Sequence, residues 1–180
     1  MARLFFALWP DAQAARALAE LSRKTAGAAR GRAVPAANLH LTLVFLGEVE
    51  AARIASLHRA AGKVGARAFN LTLDQVGSFA RAGVAWAGCA RVPQPLLDLQ
   101  STLERELEAE GFASEARRFS PHLTLARRIA AAVPLAPVTP VSWRATAFAL
   151  VQSGGNRGGY ATLAQWPLAD EEEGTAPVAR

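Results

Sequence analysis

The sequence predicts an α+β fold: two pseudo-symmetric lobes of antiparallel sheet with helices on the outside, and a central cleft carrying two His-x-Thr strands. Three observations predict it. The tetrapeptide His-Leu-Thr-Leu occurs twice, at residues 40–43 and 122–125. Strand-like alternation and helix-like spacing follow one another in the same order in both halves, as strand, helix, His-x-Thr strand and hairpin. The frame is kept in register, with Pro10 standing 30 residues before His40 and Pro93 standing 29 before His122. This reads as an internal duplication, with halves of about 1–90 and 91–168 in one bilobal domain. Residues 169–180 form an acidic tail, expected to be disordered.

Each element has a local reason. Arg3 to Leu8 is apolar and short, and it meets Pro10-Asp11 without a cleavage-like site, so it is a first strand rather than a signal peptide. Asp11 caps a helix to about Ala29, with Ala14, Leu18 and Leu21 at helical spacing. A loop from Arg30 to Asn38 leads into the first His-x-Thr strand, which Gly47 ends. A second helix is expected from about Val49 to Val64, through Ile54, Leu57 and Ala61. Phe69, Leu71 and Leu73 then alternate in a strand to Val76, and Val84 to Ala90 returns beside it as a hairpin. Pro93 or Pro95 starts a helix through Leu96, Leu99, Leu103 and Leu107, and Gly111 stops it. After the second His-x-Thr strand, Ile129 to Pro140 holds three prolines and little room for a full helix. Val141 to Val151 and Tyr160 to Trp166 close the chain as a hairpin around Gly154 to Gly159. Val76-Gly77-Ser78 and Val151-Gln152-Ser153 end corresponding strands.

Composition narrows the function classes. At 180 residues and 51% apolar, the chain can bury a sizeable core, and no run approaches a membrane span. Cys89 is the only cysteine, so no intrachain disulfide is possible, which suits a reducing cytoplasm. Its apolar surroundings make it a small buried residue rather than a nucleophile. The net charge is +5, and setting the tail aside leaves 19 basic residues against 11 acidic. Lys24 and Lys63 are the only lysines, so the positive charge is nearly all arginine, which suits bidentate phosphate contacts and an anionic partner such as RNA. The Ala- and Arg-rich composition also follows from coding bias, so charge alone does not establish that partner.

The repeated tetrapeptide carries the chemistry. On a strand His40 and Thr42 share one face with Leu41 and Leu43 behind them, and His122 and Thr124 likewise stand opposite Leu123 and Leu125. Two imidazoles across a cleft form an acid–base pair, because histidine titrates near neutrality. One takes a proton from a water or hydroxyl nucleophile and the other protonates the departing oxygen. The threonine hydroxyls can donate to phosphoryl oxygens. Nothing in this arrangement requires a metal or a cofactor. A zinc site wants three or four ligands, and Cys89 and His58 lie outside the repeat. No G-x-S-x-G elbow occurs. The glycines of 154–159 join two strands with no helix to receive a phosphate, so they form a hairpin turn, with Arg157 a minor candidate for substrate contact. His58 falls beside Ile54 on a helix boundary.

On these residues the chain resembles the 2H phosphoesterase superfamily and, within it, the RNA 2′,3′-cyclic phosphodiesterases, also called 2′-5′ RNA ligases. The resemblance covers most of the chain. It rests on Arg3 to Ala7, Leu39 to Gly47, and Ser120 to Arg127, with Ser153, Tyr160 and Leu168 in the closing hairpin. It implies a two-lobed fold with a central cleft and metal-independent hydrolysis of an RNA 2′,3′-cyclic phosphate to a 2′-phosphate, with reversible 2′-5′ joining. It further implies His40 and His122 as the acid–base pair, Thr42 and Thr124 as phosphate donors, and Arg127 near the phosphate. His122 is expected to activate water and His40 to protonate the 3′ oxygen. Strict alternation turns Arg127 away from the His122 face, so its role needs a bend, and Arg128 is an equally simple electrostatic candidate.

The expected partner is therefore RNA with a 2′,3′-cyclic phosphate terminus or a small cyclic nucleotide, bound by a cytoplasmic monomer without a membrane. Two other readings stay open at this point. One is an RNA 3′-end exonuclease or small cyclic-nucleotide phosphodiesterase. The other is a non-catalytic nucleotide- or RNA-binding module, which would not need two titrating groups.

Overall fold

The computed structural model describes residues 1–113, 118–154 and 159–170. Its elements are β1 (Ala2–Leu8), α1 (Ala12–Ala28), β2 (Arg32–Ala33), β3 (Leu41–Val49), α2 (Ile54–Gly62), β4 (Phe69–Phe79), β5 (Val84–Gly88), α3 (Gln94–Ala109), β6 (His122–Arg127), β7 (Ala136–Ala145), β8 (Ala147–Ser153) and β9 (Tyr160–Pro167). The nine strands form one sheet in the order β7-β4-β5-β6-β3-β1-β8-β9, with β2 paired to β6. Each pairing in it is antiparallel. The chain is thus α+β with an open antiparallel sheet and three helices.

The sheet has two wings that meet at a single residue pair. β3 and β6 are joined through Leu41↔Leu123. Beyond β3 lie β1, β8 and β9, and beyond β6 lie β5, β4 and β7. The order reads the same from that pair outward in either direction: β3 answers β6, β1 answers β5, β8 answers β4, and β9 answers β7. Leu41, Leu123, Leu4 and Leu73 join Leu18 of α1, Leu57 of α2 and Leu96, Leu99, Leu103 and Leu107 of α3 in one buried cluster. The helices therefore cover one face of the sheet, and the opposite face is left to the histidines. α1, capped by the Asp11 carboxylate accepting from the Ala14 amide at 2.8 Å, packs on β6, β2 and β7. α3 packs on β3 and α2.

The wings are not the two sequence halves, and here the structure corrects the sequence reading. β4 and β5 pair with β6 and β7, whereas β8 and β9 pair with β1. Each wing thus draws strands from both halves of the chain. Val141 to Val151 is correspondingly not one strand. It breaks at the exposed Thr146, so that β7 lies on β4 in one wing and β8 lies between β1 and β9 in the other. An unbroken β-rich run gives no sign of such a change of partner. Gly47 does not end its strand: with φ +68 it sits at an irregularity facing Leu4, and β3 continues to Val49. That longer strand leaves α2 to begin only at Ile54, after a single 3₁₀ turn at Ala51–Arg53. The loop before the first motif contains β2, which pairs Arg32 and Ala33 with Arg127 and Ala126. Past Leu168, Ala169 exchanges backbone hydrogen bonds with Ala66 and Ala68. The acidic run from Glu171 onward lies outside the described residues.

Candidate active site

The two copies of His-Leu-Thr-Leu share one burial pattern, with His122 opening its strand and His40 standing just before its own. Leu41, Leu43, Leu123 and Leu125 are at most 3% exposed, which anchors each motif in the core. Counting outward from Leu41↔Leu123 sets His40 opposite Thr124 and Thr42 opposite His122, all four on the face away from the leucines. Two imidazoles and two hydroxyls thus surround one point on the open face of the sheet, where the wings meet.

Both rings are oriented in the same way. His40 Nδ1 lies 2.8 Å from the Asn38 carbonyl, and His122 Nδ1 lies 2.7 Å from the Ser120 carbonyl. A carbonyl oxygen only accepts, so each Nδ1 donates and each Nε2 is left as the atom that gains or loses a proton. Neither the Thr42 nor the Thr124 hydroxyl is engaged by another described residue, so both are available to a ligand.

The surroundings of the two rings differ. His40 stacks on Phe5 at 4.8 Å and meets the edges of Tyr160 at 4.9 Å and Trp9 at 5.4 Å. This burial pushes its pKa down to about 4, against the raising effect of the Asn38 carbonyl and with help from the Arg127 and His122 charges. His40 is therefore neutral at pH 7. His122 meets only Phe79 among the described rings, at 5.0 Å, and it borders a cavity of about 730 Å³ shared with Thr42, Phe45, Phe79, Arg81 and Arg118.

A β-bulge supplies the bend that Arg127 requires. In β6, Thr124 faces Trp86 but Ala126 faces Ala85, so Leu125 is the extra residue. In β3, Thr42 faces Ala7 but Val44 faces Phe6, so Leu43 is the extra residue. After each bulge two consecutive residues point into the core, Leu43 with Val44 and Leu125 with Ala126. Alternation then resumes one step late, and Phe45 and Arg127 turn back to the histidine face. Arg127 comes close enough to act electrostatically on His40, whereas Arg128 is exposed and left-handed at φ +55. From α1, the fully buried Ser22 hydroxyl lies 2.7 Å from the carbonyl of the bulged Leu125 and fixes this bend from behind.

Several of these residues escape sequence reasoning. Trp9 and Phe79 carry no motif, and Phe5 lies in the opening strand with nothing in the sequence to aim it at His40. Ser22 leaves a trace, being a polar residue four positions from Leu18 on the apolar side of α1. Cys89 is buried, and its thiol is pushed up to about 11 by that burial and the nearby Asp74 charge, which removes it as a nucleophile. His58 contacts Trp166 at 5.3 Å. Arg157 lies outside the described residues. Among the described residues no three His, Cys, Asp or Glu side chains come together as metal ligands would.

A family model described as the 2′-5′ RNA ligase superfamily matches residues 6–157. An RNA 2′,3′-cyclic phosphodiesterase of Escherichia coli is 36% identical over 169 residues, which are 92% of this chain and 96% of the relative. One from Archaeoglobus fulgidus is 30% identical over 128 residues, 69% of this chain and 72% of the relative. Among solved structures, E. coli LigT complexed with 3′-AMP superposes with a TM-score of 0.84 at 36% identity, over 93% of this chain and 98% of that one. TT0787 of Thermus thermophilus gives 0.80 at 29% identity, over 94% and 100%.

Proposed function

The chain belongs to the 2′-5′ RNA ligase superfamily, and from that premise we propose that it hydrolyses RNA 2′,3′-cyclic phosphate ends to 2′-phosphates by two-histidine acid–base catalysis without a metal. The observation that carries this reading is the pair of imidazoles on either side of Leu41↔Leu123, each with Nδ1 tied to a carbonyl and Nε2 free.

His40, neutral in the free protein, takes the proton of the attacking water on Nε2. The water oxygen bonds to phosphorus as the P–O3′ bond breaks. His122, protonated on both nitrogens, gives its Nε2 proton to the departing O3′, leaving a 3′-hydroxyl and a 2′-phosphate. This division reverses the one expected from sequence; the depressed pKa of His40 favours it. Thr42 and Thr124 donate to the phosphoryl oxygens, and Arg127 holds their charge. A 5′-hydroxyl attacking phosphorus in place of the water, with the same departure of O3′, gives 2′-5′ joining, and the reverse of that step cleaves the link and restores the cyclic phosphate. All these groups come from one chain, which supports a monomer with 1–168 as one bilobal unit. The single cysteine supports the cytoplasm, and no described helix is long and apolar enough to cross a membrane.

The test is incubation with cyclic-phosphate-ended RNA in EDTA, with the product's phosphate located. A 2′-phosphate is expected, and His40→Ala and His122→Ala should each lose about 10²- to 10⁴-fold in kcat. A substrate with sulfur as the 3′ leaving atom should largely rescue His122→Ala but not His40→Ala. A 3′-phosphate product, or full activity in either variant, would refute the reading.

A further inference from the structure

Two arginines stand directly opposite each other where β2 meets β6. The pairing Arg32↔Arg127 sets both side chains on one face of the sheet, and Arg127 fixes that face as the histidine one. Both are exposed, and neither has a carboxylate partner among the described residues. The neighbouring sequence offers none. Residues 31–47, 75–97 and 118–169, which carry β2 and all of β5 to β9, contain no Asp or Glu. Like charges directly opposite on paired strands repel, yet the chain holds this pair together. Gly31 lets the strands approach: a Cβ there would stand 2.8 Å from Ile129 Cγ2 and 3.0 Å from the Arg127 carbonyl oxygen. The Ala130 and Ala131 amides both donate to the Ala29 carbonyl, at 2.9 and 3.1 Å. Two guanidiniums held side by side against their own repulsion are a seat for an anion brought from outside.

The pair lies on the attacking side of the site. Arg127 is the guanidinium whose charge reaches His40, and Arg32 stands beside it on the neighbouring strand. Phe5, Trp9 and Tyr160 close the β1 side of His40. The β6 side, with the two arginines, is left as the way out over the histidine face. In joining, the 5′ oxygen bonds to phosphorus opposite O3′ and gives its proton to His40 Nε2. The P–O3′ bond breaks, and O3′ takes the proton of His122. The incoming ribose therefore lies at His40, and its 3′ oxygen carries the next phosphodiester of that strand toward the arginines. We propose, resting on the cyclic-phosphate reading, that Arg32, beside Arg127, binds this phosphodiester, so that the site takes the 5′-hydroxyl strand as a second RNA ligand. Arg32 is then a specificity residue, favouring transfer to a strand over transfer to water, which brings no phosphate.

The test supplies cyclic-phosphate-ended RNA with either a 5′-hydroxyl dinucleotide or a 5′-hydroxyl mononucleoside and measures joined against hydrolysed product. A charge-assisted contact predicts that Arg32→Gln lowers the joined-to-hydrolysed ratio about tenfold for the dinucleotide, through its KM. The mononucleoside, which brings no phosphate, should show no such fall. Rising salt should erode the parent protein's dinucleotide ratio in the same direction. Arg144→Gln removes the same charge from β7, at the edge of the sheet, and should leave the ratio intact. A ratio indifferent to Arg32→Gln, or one that falls equally with both acceptors, overturns the proposal. If the parent protein joins neither acceptor, calorimetric binding decides. Arg32→Gln must then weaken binding of the 2′-5′-joined product about tenfold more than binding of the 2′-phosphate-ended RNA, and equal losses overturn the assignment. Absence of hydrolysis in the parent protein sinks the cyclic-phosphate reading by itself and leaves the calorimetric comparison to decide this one.

Discussion

A histidine whose Nδ1 faces a carbonyl has only Nε2 left to titrate, so the proton inventory of this site reduces to two atoms. With the pKa of His40 near 4, the acid limb of kcat/KM, which reports the free protein, should fall near pH 4 instead of 6.5. A limb that remains near 6.5 would mean that another group is the base. The same shift acts on stability. His40 is harder to protonate in the folded protein than in the unfolded chain, so the unfolded state binds the extra proton first as pH drops. The contribution is complete above pH 6.5 and is lost as pH falls through 4, at up to about 1.4 kcal/mol per pH unit. Urea midpoints at pH 7 and 4.5 should converge in His40→Gln relative to the parent protein. The histidines themselves were legible because the tetrapeptide repeats. Their tautomers were not, because those depend on where the chain two residues upstream aims its carbonyl.

Between residues and fold stand the devices that aim side chains. Alternation alone gave the faces of His40, Thr42, His122 and Thr124. It failed at Arg127 because Leu125 adds one residue to the strand, and a bulge leaves no compositional mark in an apolar run. Trp86 shows a second device. Its indole lies over two glycines: a Cβ on Gly77 would stand 2.5 Å from Trp86 Cζ2, and one on Gly88 would stand 3.0 Å from Cζ3. The ring meets Phe79 at 5.6 Å, and Phe79 in turn meets His122. Gly77→Ala should therefore destabilise by about 1–3 kcal/mol through overpacking and should lower kcat as Phe79 shifts. Removing the clash with Trp86→Leu should recover part of that stability, so the double mutant will be less destabilised than the sum of the singles. Strict additivity would show that the indole does not rest on Gly77.

At the scale of the molecule, the duplicated frame was readable but its wiring was not. Helical and strand periods are local, whereas the choice of partner for β4, β7 and β8 depends on contacts between the distant halves. The result is a chain that crosses its own dyad repeatedly. α1 follows β1 yet packs on β6 and β7, and α3 follows β5 yet packs on β3. One buried cluster runs through both wings, with Leu4 and Phe148 on one side and Leu71 and Trp143 on the other. Wings stitched in this way cannot melt separately, because exposing either strips the helix that covers the other. Variants retaining only Trp166, or only Trp143, should therefore unfold in urea with the same midpoint, as one cooperative unit. Leu123→Ala, at the pair where the wings join, should shift both midpoints together by about 2–5 kcal/mol of lost stability. If the two tryptophans reported separate transitions, the wings would be independent folding units. The histidines would then be held in register only by the single Leu41↔Leu123 junction.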